Sequence, residues 1–527
     1  MLMAKNPILT GFHPDPCILR VEDDYFLATS TFQWFPGVQL YHSTDLVNWQ
    51  EIKSPLNRKS QLDMQGNPNS GGVWAPCLSY CDGTYYLIYT NTRNFHGIFK
   101  DTHNYLVTTK DIFSGEWSEP IYLNSSGFDP SLFHDEDGKK YLVNMRWDHR
   151  AEYHDFNGIL MQEYSEKEKK LVGPVVNIFK GTKIGATEAP HIYKKDGYYY
   201  LMVAEGGTMY NHGVQMARSK NIWGPYEADP RPLLTTRNNP EKPYQRTGHA
   251  SLVCTQNNEW YVAYLCGRPV TSKGVCILGR ETCIAKVKWD SDGWLRLEND
   301  GEVPPTEYES SLKECPVPPI LQKEILDFET LPPHFNTLRL PLDEIGSLTE
   351  RRGYLRLYGN EAITSWNKQS MVARRLQHHR AEAICEMEFN PQTFQQMAGL
   401  TVFYDTYNFF YLYLSSDEMG SNELRIIVRD GLKFREEAPN GVKVGKTTKI
   451  FLRAVISYGT LEFSYSLNGV DYTSIGGKLD CTNLSDEAYG QIGHEGHTGT
   501  FIGMACQDLT GNHTHADFRS FSYKELK

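Results

Sequence analysis

Five times between residues 23 and 264 an acidic, glycine or asparagine turn leads into an aromatic-rich strand: "DDYFLA" at 23, "DGTYYLIY" at 82, "DGKKYLV" at 137, "DGYYYLMV" at 196 and "NNEWYVAY" at 257. Taken at the last aliphatic core residue of each (Leu27, Leu87, Leu142, Leu201, Val262), the spacings are 60, 55, 59 and 61 residues. A period of this length, with several short strands per unit, predicts a β-propeller, because one small sheet cannot bury its faces alone and must stack on neighbours. Five units predict five blades.

A second motif keeps step about ten residues ahead of the first: "HPDPCI" at 13, "WAPCL" at 74, "FDPSLF" at 128, "TEAPHIY" at 187 and "GHASLV" at 248. Equivalent innermost strands of a propeller all begin at one end of the central channel, so side chains at this place converge. The repeat therefore puts Asp15, Asp129 and Glu188 on one rim. Pro14 and Pro16 bracket Asp15 and bias both His13 and Asp15 towards extended conformations, which aims the carboxylate. Pro-Asp-Pro alone also reads as a turn, and Asp-Pro or Ala-Pro commonly begins a strand.

Three carboxyls facing a funnel rich in Trp and Phe point to glycoside hydrolysis. An inverting reaction needs one ionised acid to deprotonate water and one protonated acid to serve the leaving oxygen, with the two about 6.5–9.5 Å apart. A third acid raises the proton affinity of the second, as does desolvation.

Composition narrows the partners. The 527 residues carry 53 Lys+Arg and 64 Asp+Glu, a net charge of −11 without a long basic run, which argues against nucleic acid or an anionic membrane surface. Aromatic residues make up 13%, which suits β-structure and sugar-stacking clefts alike. With 40% hydrophobic residues the chain is long enough for two or more domains. The N-terminal "MLMAKNPILTGFHPDP" has no long apolar stretch of the signal-peptide kind and no run is long enough to span a bilayer, so a cytoplasmic protein is expected. Eleven cysteines without a close Cys-x-x-Cys pair read as small buried hydrophobes in a reducing compartment rather than a disulfide framework or a zinc site. No EF-hand-like acidic loop or phosphate-binding fingerprint is present.

"NPILTGFHPDPCI", "WAPCL", "GFDPSLF", "GATEAPHIY" and "GRETCIAKV" together resemble the five-bladed propeller enzymes of glycoside hydrolase family 43, and more narrowly their two-domain β-xylosidases. "AGLTVFYDTYNFFYLYLS" at 398 and "GTFIGMACQDLTG" at 499 resemble the C-terminal β-sandwich of those enzymes, so the likeness runs nearly the full length. The implied architecture is all-β: a propeller over residues 1–313, a Pro-rich linker over 314–325 ("ECPVPPILQKE"), and over 326–527 an antiparallel concanavalin A-like jelly roll packed on the propeller. Alternating strands such as "KIFLRAVISYGTLEFSYSLNG", with Asn468-Gly469 as a hairpin turn, suit that sandwich, which taken alone also fits a carbohydrate-binding module.

The resemblance implies Asp15 as general base, Glu188 as general acid and Asp129 as the acid that positions Glu188 and tunes its pKa. It further implies that Arg280 hydrogen-bonds sugar hydroxyls, that Phe32 and Trp74 wall the first subsites, that Trp147 lies further out, and that Thr208 is a lesser contact. Each of these also has a structural reading, the aromatics as core and Arg280 as half of an ion pair. His249 takes the fifth rim slot, where the family places a histidine near the axis; a Ca²⁺ ion beside it is admitted but no cofactor is required. The loop at 493, "GHEGHTGTF", corresponds to one that lends an aromatic ring to the site mouth, and His497 stands where phenylalanine is expected, which opens the question of the outer subsite. The expected activity is release of xylose from the non-reducing end of 1,4-β-xylo-oligosaccharides with inversion, in a homodimer or homotetramer. α-L-Arabinofuranosides are the alternative main substrate, and a non-catalytic carbohydrate-binding protein is the alternative of a different class. A fructan-cleaving propeller hydrolase resembles Asn-Asp-Pro, Arg-Asp-Pro and Glu-Cys motifs, which this chain replaces by His-Pro-Asp-Pro, Phe-Asp-Pro and Glu-Ala-Pro.

Overall fold

The computed structural model describes residues 2–271, 274–318, 323–325, 331–491 and 496–527. Part of the linker (319–322) and part of the loop at 493 (493–495) lie outside these residues. Among them the chain is almost entirely β-structure, with two short 3₁₀ turns, Leu342–Glu344 and Asp486–Gln491. Among the described residues no helix is long and apolar enough to cross a membrane.

Five antiparallel meanders follow one another in sequence. Their innermost strands are Cys17–Val21, Gly72–Cys81, Ser131–His134, Glu188–Lys195 and Gln245–Cys254, and their second strands are Asp24–Thr29, Thr84–Asn94, Lys140–Trp147, Tyr198–Glu205 and Trp260–Gly267. The residues that carried the repeat in the sequence all lie on the second strands and all are buried. Each faces an aliphatic residue of the innermost strand in the same register: Ile18 with Leu27, Leu78 with Leu87, Leu132 with Leu142, Ile192 with Leu201, and Leu252 with Val262. The sixty-residue period is thus the imprint of one cross-strand apolar pair copied into every blade.

Neighbouring blades share cores. Ile88, Leu123, Leu132 and Leu142 join the second to the third, while Ile18, Leu27, Val253 and Ala263 join the first to the fifth and close the ring. The ring is also closed near the axis by Ser251, whose hydroxyl donates to the Pro16 carbonyl at 2.9 Å and accepts from the Ile18 N–H at 2.9 Å. Leu2–Lys5 pairs with Glu307–Ser310 and ties the two ends of the propeller segment together.

The C-terminal part is a sandwich of two antiparallel sheets around a core that includes Leu400, Leu412, Ile426, Leu452, Phe463 and Phe518. One of its sheets runs past its own last strand, Phe335–Leu338, onto Trp34–Phe35 of the first blade, with Leu338 opposite Trp34 and Thr337 opposite Phe35. Trp34 is fully buried and stacks on Phe501 with ring centroids 3.8 Å apart. Asn468-Gly469 falls inside the connection between Thr460–Ser466 and Thr473–Asp480, where the Asn468 side chain accepts from the Val470 and Asp471 N–H groups. The tight turn of that region is Tyr458-Gly459, both with positive φ, 47° and 89°.

Candidate active site

Just before or within the first half of each innermost strand stands a residue on the left-handed side of backbone space: Asp15 (φ 57°), Ala75 (36°), Asp129 (55°), Ala189 (52°) and His249 (43°). The extended conformation expected for Asp15 is therefore not adopted. A proline follows the first four and disfavours the right-handed helical region. In the second, fourth and fifth blades the pairing register shifts at this point, a bulge that turns the residue towards the axis. Strain of this kind persists only where the surroundings over-determine it. Glu188 does not share the slot of Asp15 and Asp129. It lies one residue earlier, where Trp74 and Phe128 are its counterparts, so the acids come from two successive positions of the repeat.

All ten residues singled out in the sequence, Asp15, Phe32, Trp74, Asp129, Trp147, Glu188, Thr208, His249, Arg280 and His497, line one cavity of about 440 Å³ at this end of the channel. Its walls are aromatic. Trp74 meets Phe128 edge-on at 5.3 Å and Phe32 at 5.9 Å, and its indole N–H donates to the Ser70 carbonyl at 2.8 Å. Trp147 stands further along, under the Lys100 ammonium at 4.2 Å. The sandwich supplies His497, whose ring is close to Phe32, Trp74 and Phe95 and whose backbone N–H donates to Ser70 Oγ at 3.0 Å. Thr208 offers its carbonyl to Arg246 Nε at 3.0 Å, and Arg246 pairs in turn with the buried Asp486 of the sandwich, which also lines the cavity.

The three acids sit in unlike surroundings. Burial pushes Asp15 towards its neutral form, but Arg280 Nη1 at 2.7 Å, His249 Nδ1 at 3.5 Å and the Ser30 hydroxyl at 2.6 Å outweigh it and hold the carboxyl below its ordinary value. Ser30 is held in turn by the Ala75 N–H at 2.7 Å. For Asp129 burial and the charge of Asp15 act together and raise the pKa, against a single hydrogen bond from the Ala189 N–H at 3.1 Å. Glu188 is raised well above its ordinary value by burial, then by Asp129 and Asp15. Its Oε1 is buried and has no hydrogen-bond partner among the described residues. The site therefore holds an ionised carboxylate beside a carboxyl kept protonated.

Arg280 forms the ion pair with Asp15 and donates to the His497 carbonyl at 3.0 Å, and it also lines the cavity, where its Nε, buried, has no partner among the described residues. The surroundings of His249 do not suit Ca²⁺, which takes 6–8 oxygen ligands, roughly. The nearest carboxylate, Asp15, is already committed to Arg280 and Ser30, and His249 belongs to no convergent group of three donors among the described residues. Phe128, Lys100, Asp155, Phe156 and Tyr489 also line the cavity and were not anticipated. Phe128 could have been, since the repeat that yields Trp74 and Glu188 also marks it. Lys100 and Asp155 lie in connections whose path no periodicity reveals, and Phe156 opens the third strand of its blade, Phe156–Ser165, which the repeat does not mark.

A profile described as glycosyl hydrolases family 43 matches residues 4–295, and one described as the beta xylosidase C-terminal concanavalin A-like domain matches residues 326–524. The chain is 49% identical to a "Beta-xylosidase" of Bacillus subtilis (strain 168), covering 99% of this chain and 100% of the relative. It is 45% identical to a "Xylosidase/arabinosidase 43B" of Humicola insolens, covering 100% and 98%. The crystal structure of a xylan beta-1,4-xylosidase from Bacillus halodurans C-125 superimposes with a TM-score of 0.97 at 52% identity, covering 99% of this chain and 100% of that one.

Proposed function

The chain belongs to glycosyl hydrolases family 43, and on that premise we propose that it releases xylose from the non-reducing end of 1,4-β-xylo-oligosaccharides with inversion at the anomeric carbon. The observation that carries this reading is the opposed protonation of Asp15 and Glu188 in one sugar-sized cavity. Asp15, ionised, takes a proton from water as the water attacks the anomeric carbon. Glu188, protonated, gives its proton to the leaving glycosidic oxygen through the oxygen that has no other partner. Burial, and then negative charge on Asp129 or Asp15 in the same dry pocket, keeps Glu188 protonated until that moment. Each turnover consumes one water, leaves Asp15 protonated and Glu188 ionised, and ends when solvent resets both.

Exo action is supported by the sandwich, which brings His497 and Tyr489 to the cavity wall and narrows an open groove to a pocket. α-L-Arabinofuranosides are a second reading, favoured by the xylosidase/arabinosidase relative. The protein's work in a reducing cytoplasm and its assembly as a homo-oligomer form part of the proposal; eleven unpaired thiols support the first.

The test is proton NMR of xylobiose hydrolysis, with β-1,3-xylobiose and an α-L-arabinofuranoside in parallel. α-Xylose is expected as the first anomer from the 1,4-linked substrate, and Asp15→Asn is expected to cut the rate by about 10²–10⁴-fold. β-Xylose as first product, or an Asp15→Asn variant of undiminished rate, overturns the mechanism. A faster reaction on either parallel substrate overturns the substrate assignment alone.

A further inference from the structure

Side chains alternate along a strand, so the residue two places beyond each left-handed slot faces the axis again, one layer deeper. Those residues are Cys17, Cys77, Ser131, His191 and Ser251. Both serines are committed to bridging blades: Ser131 donates to the Pro190 carbonyl at 2.6 Å and Ser251 to that of Pro16 at 2.9 Å. The other three, from the first, second and fourth blades, converge so that their donor atoms lie within 4.8 Å of one another, all buried.

The distances discriminate between readings. Cys17 Sγ is 3.7 Å from Cys77 Sγ, and Cys77 Sγ is 3.9 Å from His191 Nδ1. A disulfide needs sulfurs about 2.05 Å apart. Two thiolates on one tetrahedral zinc, with Zn–S near 2.3 Å, stand about 3.8 Å apart, and a thiolate and an imidazole nitrogen stand about 3.6 Å apart. The spacing found is close to that of ligands around one small ion. The Leu78 N–H donates to Cys17 Sγ at 3.3 Å.

Access comes from the far end of the channel. A cavity of about 540 Å³ lined by Cys17, Cys77 and His191 opens there among Arg20, His134 and Trp260. Only a narrow gap, also bordered by Asp15, Asp129 and His249, separates the cluster from the substrate side.

We infer that Cys17, Cys77 and His191 form a three-ligand site for a thiophilic divalent cation, Zn²⁺ fitting their donors best, with water from the axial channel as fourth ligand. Binding exchanges two thiol protons for the ion, so the site stays neutral overall and perturbs the carboxyls above it little. Its effect is mechanical: one ion pins three of the five inner strands to the axis. Sequence spacing hid the cluster, since its cysteines are 60 residues apart and Cys77 is 114 from His191.

The test is a Co²⁺ titration of the full-length, reduced, metal-free protein. Expected are a near-ultraviolet thiolate-to-cobalt band and visible bands of tetrahedral intensity saturating at one ion per chain, and a rise in melting temperature with Zn²⁺. Both are expected to vanish in Cys17→Ser/Cys77→Ser and to persist in His249→Asn. Should the double variant fail to fold, His191→Ala serves instead, with cobalt affinity expected to drop more than about 10-fold. Absent bands, bands unchanged by these substitutions, or bands lost in His249→Asn would overturn the site.

Discussion

Burial is the largest single influence on Asp15 and favours the neutral acid, and Arg280 is the largest of the neighbours that together outweigh it. In the proposed mechanism Asp15 must be ionised to act as general base, so activity is expected to be lost as pH falls through its pKa. Arg280→Gln is therefore expected to move the acidic limb of the kcat/KM profile to higher pH, and an unmoved limb would detach that limb from Asp15. Glu188 makes the complementary prediction about stability. Its folded-state pKa lies well above the ordinary 4.5, so the folded protein is stabilised relative to the unfolded chain below that value and loses this stabilisation as pH rises towards the folded pKa. Glu188→Gln has no proton to lose. Its melting temperature is expected to exceed that of the wild type at pH 8, with the gap closing at pH 4, as followed by thermal scans at both values. A gap that stays constant with pH would contradict the raised pKa.

At the level of single strands, the start of each innermost strand depends on close backbone approaches. A Cβ on Gly127 would stand 1.9 Å from the Met145 carbonyl oxygen, because the segment before Asp129 is pressed against the second strand of its own blade. Gly127→Ala must lift Phe128 and Asp129 off that strand. A displacement near 1 Å at a catalytic group costs about 10²-fold, so kcat/KM is expected to fall by at least that much while the β-sheet circular dichroism is retained. Undiminished activity would mean that the placement of Asp129 is immaterial. The repeat made the blades and the rim acids legible, because a cross-strand apolar pair and the motif ahead of it recur at fixed distance. It could not separate Glu188 from the slot of Asp15, since a shift of one residue disappears in a period of about sixty. Nor could it show Trp34–Phe35 leaving its blade, because two residues carry no periodicity.

Across the whole molecule, propeller and sandwich are joined by more than apposed surfaces. They share a sheet through Trp34–Phe35, a ring stack between Trp34 and Phe501, and the buried Arg246–Asp486 pair beside the cavity. Unfolding of either part strips the other of a strand partner and leaves a buried charge alone, which typically costs about 3–5 kcal/mol. A single calorimetric transition is expected, and two well-separated ones would mean that the parts are energetically independent. The shared sheet also sets an order of events at the ribosome. Trp34 emerges early, yet its partner Leu338 is made roughly 300 residues later, about 15–60 s at ordinary rates of synthesis. For that interval the nascent first blade carries a bare tryptophan and an unpaired edge, so a chaperone that shields that patch is expected to matter more to yield than one acting on the finished chain.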